Sequence, residues 1–260
     1  MLSEFFTQLL SFSFGKKSFQ AFYKKLYSLS LRGMNYGIVD SGEENVLKIL
    51  SLELSKSNVP LVLFDIGANV GTYTQTLLKN FPKNSRIFSF EPSKKTFQEL
   101  KKNIGAEEIN LFNVGLGERP ESINLYSTDN NSTLASAYQR TSDENETLNI
   151  EKIEIITLDN FCQDNNIDNI DFMKVDVEGY EINVFKGASE SLSNKIIKTI
   201  QFEFGGTQIQ ARVFLKDFYD LLSPNYILFR ILKDGLEPIE KYNERLENFN
   251  YSNYLAILKK

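Results

Sequence analysis

The chain has no histidine and no tryptophan among its 260 residues, and one cysteine, Cys162. Without histidine, the usual general base near neutral pH and the commonest transition-metal ligand are both missing. Any proton acceptor must therefore be Asp, Glu, Lys or Tyr. One cysteine excludes an internal disulfide and is compatible with a reducing cytoplasm. No apolar stretch reaches the ~18 residues that a membrane-spanning helix requires. The net charge of −5 argues against a general nucleic-acid binder, which is normally basic. There is no internal repeat and no low-complexity tract. The length fits one large domain, or a domain with an appendage, able to bury its own core.

Residues 61–71 read LVLFDIGANVG, and residues 87–92 read IFSFEP. The run Leu61–Phe64 is short, apolar and bounded by Pro60 and Gly67, which predicts a strand buried on both faces. Gly67 and Gly71 fall where the strand must turn and a helix must begin, and glycine there lets a ligand approach the backbone. Glu91 ends the second strand, where a carboxylate can accept hydrogen bonds from both hydroxyls of a ribose. A dinucleotide site wants G-x-G-x-x-G. This chain has G-x-x-x-G preceded by Asp65. A carboxylate beside a pyrophosphate is repelled, whereas beside an ammonium and a sulfonium it is attracted. The charge argument thus favours S-adenosylmethionine over NAD. An ordinary glycine turn without a ligand would explain the turn but not Glu91.

Residues 170–181 read IDFMKVDVEGYE. Taken in order with DIGANVG, FSFEPS, NVGLGE and TLDNF, this block resembles the FkbM family of S-adenosylmethionine-dependent methyltransferases, from about Leu61 to Gly205. Val175 stands where the family commonly has Ile, and SGEENVLKIL is similar to its lead-in. The resemblance implies O-methylation, often of a sugar or polyketide hydroxyl, with S-adenosyl-L-methionine as cofactor.

Strands alternating with helices predict a mainly parallel sheet with right-handed crossovers. The expected fold is α/β: a Rossmann-like class I methyltransferase with a mainly parallel seven-stranded sheet, helices on both faces and an N-terminal helical extension. Residues 1–58 are expected as the extension and 59–260 as the cofactor-binding domain. Expected helices include Glu43–Lys56, Thr72–Asn80 and Lys94–Asn103. Strands are expected at Arg86–Glu91, Glu108–Val114, Asp171–Val175 and Thr199–Glu203. The chain should close on strands Asn225–Leu232 and Tyr251–Leu258, the second antiparallel. Between Ser122–Tyr126 and Lys152–Thr157, Asp129–Leu148 reads as a long polar loop, a kind that is often functional.

Ligands of such sheets sit at the carboxyl ends of the strands, where Asp65, Glu91, Asn113, Asp176 and Glu203 fall. Cofactor-binding candidates are Asp65, Gly67, Asn69 and Gly71 at the methionine end, Glu91 and Pro92 at the ribose, and Asn113 and Gly115 beside the adenine. Asn69 serves equally well as a helix cap. Catalytic candidates are Asp176 and Glu178, with Lys174 to offset their charge and Glu203 as a further acid. Two adjacent carboxylates raise the pKa of one, which makes a better base. Against these roles, Lys174 could be a strand residue with a solvated amine, and Glu178 a favourable charge at a helix N-terminus. Glu181 reads as dipole-stabilising. No metal is assigned, although Asp176, Glu178 and Glu203 are hard oxygen ligands that would suit Mg²⁺ or Ca²⁺. Tyr73 and Tyr180 read first as core residues.

Lys16, Lys17, Lys24, Lys25 and Arg32 alternate with Phe19, Phe22, Tyr23, Leu26 and Tyr27 at helical spacing. That segment either packs on the domain, rests peripherally on an anionic membrane, or forms a dimer contact. The expected partner is a small-molecule or glycan acceptor, with no nucleic acid, in the cytoplasm. Two rival readings are a nicotinamide-dependent oxidoreductase and a non-catalytic methyltransferase-like binding module.

Overall fold

The computed structural model describes residues 2–30, 42–57, 59–105, 109–128, 131–139 and 148–260. Helices α1 (Leu2–Leu10), α2 (Lys17–Ser30) and α3 (Glu43–Leu54) precede strand β1 (Val62–Ile66). Then follow α4 (Thr72–Asn80), β2 (Arg86–Phe90), α5 (Lys94–Ile104) and β3 (Asn110–Phe112). Four strands come next: β4 (Gly115–Leu116), β5 (Glu121–Thr128), β6 (Asn131–Ser136) and β7 (Leu148–Ile156). The chain continues through α6 (Leu158–Asp164), β8 (Phe172–Val175), α7 (Glu181–Lys186), α8 (Ser189–Ser193) and β9 (Thr199–Phe204). It ends with α9 (Thr207–Ala211), α10 (Leu215–Leu222), β10 (Tyr226–Leu232), β11 (Gly235–Pro238) and β12 (Ser252–Leu258).

The main sheet has the order β11-β10-β12-β9-β8-β1-β2-β3. The block β9-β8-β1-β2-β3 is parallel throughout. Strand β12 inserts antiparallel between β9 and β10, as the sequence predicts for the last strand. The sheet has eight strands rather than the expected seven. The addition is β11, which folds back on β10 through Lys233 and Asp234 with Leu232 opposite Gly235.

The expected long loop is also corrected. Part of it is β6, the edge of a second sheet of order β4-β7-β5-β6. Residues 129–130 and 140–147 of that loop lie outside the described residues, as do Glu108 and Arg32.

Strand periodicity explains the core. On one sheet face Leu63, Ile87, Phe172 and Leu255 meet Tyr73 and Leu77 of α4 and Val46 and Leu47 of α3. On the other face Phe64, Phe88, Phe90 and Phe202 meet Phe161, Phe185 and Phe218 of α6, α7 and α10. Buried Asp171 fastens the strand starts, accepting from the Val62 amide at 2.9 Å and from Lys198 at 2.8 Å. Helix α2 buries no described side chain, and Phe22, Leu26 and Tyr27 are exposed on it. No helix among the described residues is long and apolar enough to cross a membrane.

Candidate functional site

At the carboxyl ends of the strands, the apolar face that packs against α3 and α4 turns polar. Ser89, Asp65, Lys174 and Gln201 stand in register across β2, β1, β8 and β9. Two residues further along their strands come Glu91, Asp176 and Glu203, and Asn253 of β12 pairs with Glu203. Side chains two apart on a strand share a face, so one sheet face delivers the whole set. Lys174, Glu91, Asp176, Glu203 and Asn253 of this set open into a cavity of about 360 Å³, lined also by Glu43, Tyr73, Thr96 and Glu178.

The turn after β1 is held from both sides. Gly67 and Ala68 donate backbone N–H groups to the Phe90 carbonyl at 3.0 and 2.9 Å, and the Asp176 amide donates to the Ile66 carbonyl at 2.9 Å. Gly67 has φ +84°, and a Cβ there would lie 1.8 Å from the Asp176 carbonyl oxygen. Only glycine lets the end of β8 lie against this turn.

Glu91 closes β2 with its carboxylate on the backbone: Oε2 accepts from the Asn69 amide at 3.0 Å and Oε1 from the Ser93 amide at 2.9 Å. Burial pushes its pKa up to about 7, against the opposing pull of those two donors. Asn113 braces the same corner, donating to the Glu91 and Pro92 carbonyls at 2.9 Å each. It does not line the cavity. Gly115 and Pro92 line a neighbouring apolar slot of about 40 Å³ with Leu116, Ile153, Ile155 and Tyr180.

Asp65 is fully buried and is not among the residues that line the cavity. One oxygen accepts from the Thr74 hydroxyl at 2.6 Å. The other has no hydrogen-bond partner among the described residues. Burial raises its pKa, although the nearby Lys174 ammonium pulls the other way.

Lys174 lies 2.6 Å from Asp176 and 4.3 Å from the centre of the Tyr73 ring. Burial works to lower its pKa, but the carboxylates of Asp176, Glu43 and Asp65 together hold it above the ordinary ammonium value. Glu203 is deeply set in the wall and its pKa is raised well above the usual range, by burial first and then by Asp176 and Glu178. Glu178 adopts φ +56°, and its carbonyl accepts from the Ser136 hydroxyl at 2.7 Å. Among the described residues, no group of three or more acids, cysteines or histidines is arranged to hold a metal ion.

Glu181 belongs to the scaffold. It is fully buried and accepts from the Val177 and Gly179 amides at 3.0 and 3.1 Å and from Gln208 at 2.7 Å. It thereby ties together the tight turn that presents Glu178. Burial pushes its pKa to about 7.

A family model for the FkbM methyltransferase domain matches residues 65–229, spanning the glycine turn, Glu91, the Lys174–Glu181 block and β9. The chain belongs to this family. As an FkbM methyltransferase it uses S-adenosyl-L-methionine as its cofactor. Among curated relatives, the hexuronic acid methyltransferase AglP of Haloferax volcanii is 27% identical over 74% of this chain and 72% of its own. The 2-O-methyltransferase NoeI of Sinorhizobium fredii is 24% identical over 68% of this chain and 76% of its own. Among solved structures, the O-methyltransferase from Bacillus cereus in complex with SAH aligns over 97% of this chain and 96% of its own, with 12% identity and a TM-score of 0.44.

The residues present suit that cofactor chemically. Glu91, a carboxylate able to accept from ribose hydroxyls, lines the cavity beside the turn residues Gly67, Ala68, Asn69 and Val70. The FkbM site also contains groups that the sequence alone does not single out. Glu43, from the first turn of α3, accepts from Gln201 at 2.6 Å, and Gln201 accepts from the Tyr73 hydroxyl at 2.8 Å. Gln201 also donates to Asn253 at 3.4 Å. A signal exists for Gln201, which lies two residues before the candidate Glu203 inside the apolar strand TIQFEF. None exists for Glu43, whose contact spans 158 positions.

Proposed function

We propose that this chain transfers a methyl group from S-adenosylmethionine to a hydroxyl of a sugar or natural product. The observation that carries the proposal is the single cavity that joins Glu91 and the glycine turn at one end to Asp176, Glu178 and Glu203 at the other. The named activities of the two curated relatives, hexuronic acid methylation and 2-O-methylation, support the oxygen acceptor and the carbohydrate class.

When bound, S-adenosylmethionine supplies a methyl carbon made electrophilic by a positive sulfur, which a hydroxyl oxygen displaces as the carbon–sulfur bond breaks. In this reading Glu91, beside Pro92, binds the ribose hydroxyls, and the turn from Gly67 through Asn69 to Gly71 receives the methionine end. Asp65 supports that turn from beneath. The apolar slot at Gly115, braced by Asn113, takes the adenine. Asp176 accepts the proton leaving the acceptor hydroxyl. Lys174, 2.6 Å away, holds the Asp176 carboxylate in place. Glu178 and Glu203 orient the acceptor. Residues 59–260 form the catalytic domain, and the extension 1–58 contributes α3 with Glu43. The setting is cytoplasmic, which a single buried cysteine suits. The exposed aromatics Phe5 and Phe6 of α1, Phe12 in the turn after it, and Phe22 and Tyr27 of α2, together with Lys16, Lys17, Lys24 and Lys25, favour peripheral contact with an anionic membrane.

Calorimetry with S-adenosylhomocysteine and with NAD⁺ tests the reading. Ligand at ~100 times its dissociation constant stabilises by about 2.7 kcal/mol, which raises the melting temperature of a domain this size by roughly 5–10 °C. Binding of S-adenosylhomocysteine alone supports the proposal. Binding of NAD⁺ alone overturns it.

A further inference from the structure

Among the described residues, the cavity is rich in hydrogen-bonding groups and poor in positive charge. Its lining includes five carboxyl groups (Glu43, Glu91, Asp176, Glu178 and Glu203). Among the described residues, Lys174 is the one cation that lines it. That ammonium is already committed. It sits 2.6 Å from the Asp176 carboxylate and over the face of the Tyr73 ring, and its side chain is buried. Releasing Lys174 to a ligand would strand Asp176, the group placed to take the proton.

The neighbouring strands β9 and β12 supply further hydrogen-bonding groups. Glu203 and Asn253 are cross-strand partners on β9 and β12, and both line the cavity. The Glu203 carboxyl has no hydrogen-bond or ion-pair partner among the described residues. The Asn253 carbonyl oxygen receives Gln201, which leaves its amide hydrogens to donate. A carboxyl and an amide side by side match the donors and acceptors of adjacent hydroxyl groups. A carboxylate brought into the same place would lose its hydration without gaining a cation.

Resting on the methyltransferase reading above, we infer that the acceptor is uncharged where it enters the cavity: a neutral sugar or polyol, and not a uronate. The chain would then differ in acceptor charge from the relative named for hexuronic acid. Glu203 and Asn253 would read a hydroxyl next to the one that is methylated.

The test uses the wild-type chain saturated with S-adenosylhomocysteine. Binding is measured by calorimetry for matched methyl glycosides in gluco, galacto and manno configurations, each as the neutral hexoside, the uronate and the uronamide. Methyl transfer to the same compounds is followed in parallel with S-adenosylmethionine. The uronamide keeps the shape of the uronate without its charge. At least one neutral hexoside is expected to bind and be methylated. Its uronate should bind at least tenfold more weakly, which corresponds to about 1.4 kcal/mol. The uronamide should recover most of that loss. Equal or tighter binding of the uronate overturns the inference. So does a uronamide as weak as the uronate, because shape rather than charge then decides. Binding of S-adenosylhomocysteine with no response to any glycoside also overturns the inference while leaving the cofactor reading intact. Failure of S-adenosylhomocysteine to bind removes the methyltransferase reading itself.

Discussion

Cofactor affinity should depend on pH through Glu91. In the free protein its carboxyl is raised to about 7, because burial outweighs the two backbone donors that favour the ionised form. Ribose hydroxyls donate to a carboxylate far better than to a carboxylic acid. The binding-competent form is then about one-tenth populated at pH 6 and about nine-tenths at pH 8, and apparent affinity scales with that fraction. S-Adenosylhomocysteine should therefore bind about tenfold more tightly at pH 8 than at pH 6. Binding should also release close to one proton at pH 6, falling toward zero by pH 8. Calorimetry in buffers of different ionisation enthalpy reads both quantities. Glu91→Gln removes the titration and one charge-assisted acceptor, so it should weaken binding by about 1.5–3 kcal/mol and flatten the profile. Glu181, the other carboxyl raised to about 7, does not line the cavity, so it does not compete for this assignment. A flat profile in the wild type would refute the reasoning at its root. A slope that persists in Glu91→Gln would move the titration to another group.

Four further outcomes follow from the geometry. Asp176→Asn keeps the size of the side chain but cannot take a proton, so turnover should fall by at least ~100-fold while S-adenosylhomocysteine still binds; undiminished turnover removes Asp176 from that role. Gly67→Ala forces an L side chain to φ +84° and against the Asp176 carbonyl at 1.8 Å. The dihedral alone costs about 1–2 kcal/mol, so both melting temperature and cofactor affinity should drop, and an unchanged melting curve counts against the tight turn. Glu181 is raised from an ordinary 4.5 to about 7 in the folded state, so between those values the folded chain binds more protons than the unfolded one. Its contribution to stability is complete below about pH 4.5 and is lost as pH rises through about 7; the melting temperature should rise from pH 7.5 to pH 5.5, and Glu181→Gln should lessen that rise. Finally, vesicles containing phosphatidylserine should co-sediment with the chain at low salt and release it at high salt, whereas equal behaviour with neutral vesicles denies the basic helix its part.

The sequence made legible what depends on short range. Strand β1 is a bounded apolar run, and its turn is dictated by Gly67 and Gly71. Two strand ends announce themselves by the acid that follows the apolar run, at Glu91 and Asp176, whereas Glu203 is the last polar residue inside β9. The second sheet was hidden because Asn131–Ser136, NSTLAS, carries neither a clear alternation nor bulky β-formers. Its pairing with β5 supplies the order that its own residues do not show. The hairpin strand β11, GLEP, is exposed along its length and lacks a buried face to leave a pattern.

Asp65 shows how a position can be legible while its geometry is not. The sequence places it at the cofactor turn, but its carboxylate lies on the face that also carries Leu63, under α4 and bonded to Thr74. Period two already implies this, since a side chain on that face points beneath the following helix unless the strand ends first. Asp176 and Glu203 differ from Asp65 by one step of that period: they lie past the last row covered by α3 and α4, and so they open into the cavity. The partner of each charge is the least local fact of all. Lys174 stands in register with Asp65, yet it turns to Asp176, its neighbour two residues on. Once that pairing is made, no further cation lines the cavity among the described residues. The uncharged acceptor thus follows from how the lysine is spent, not from how many acids surround it.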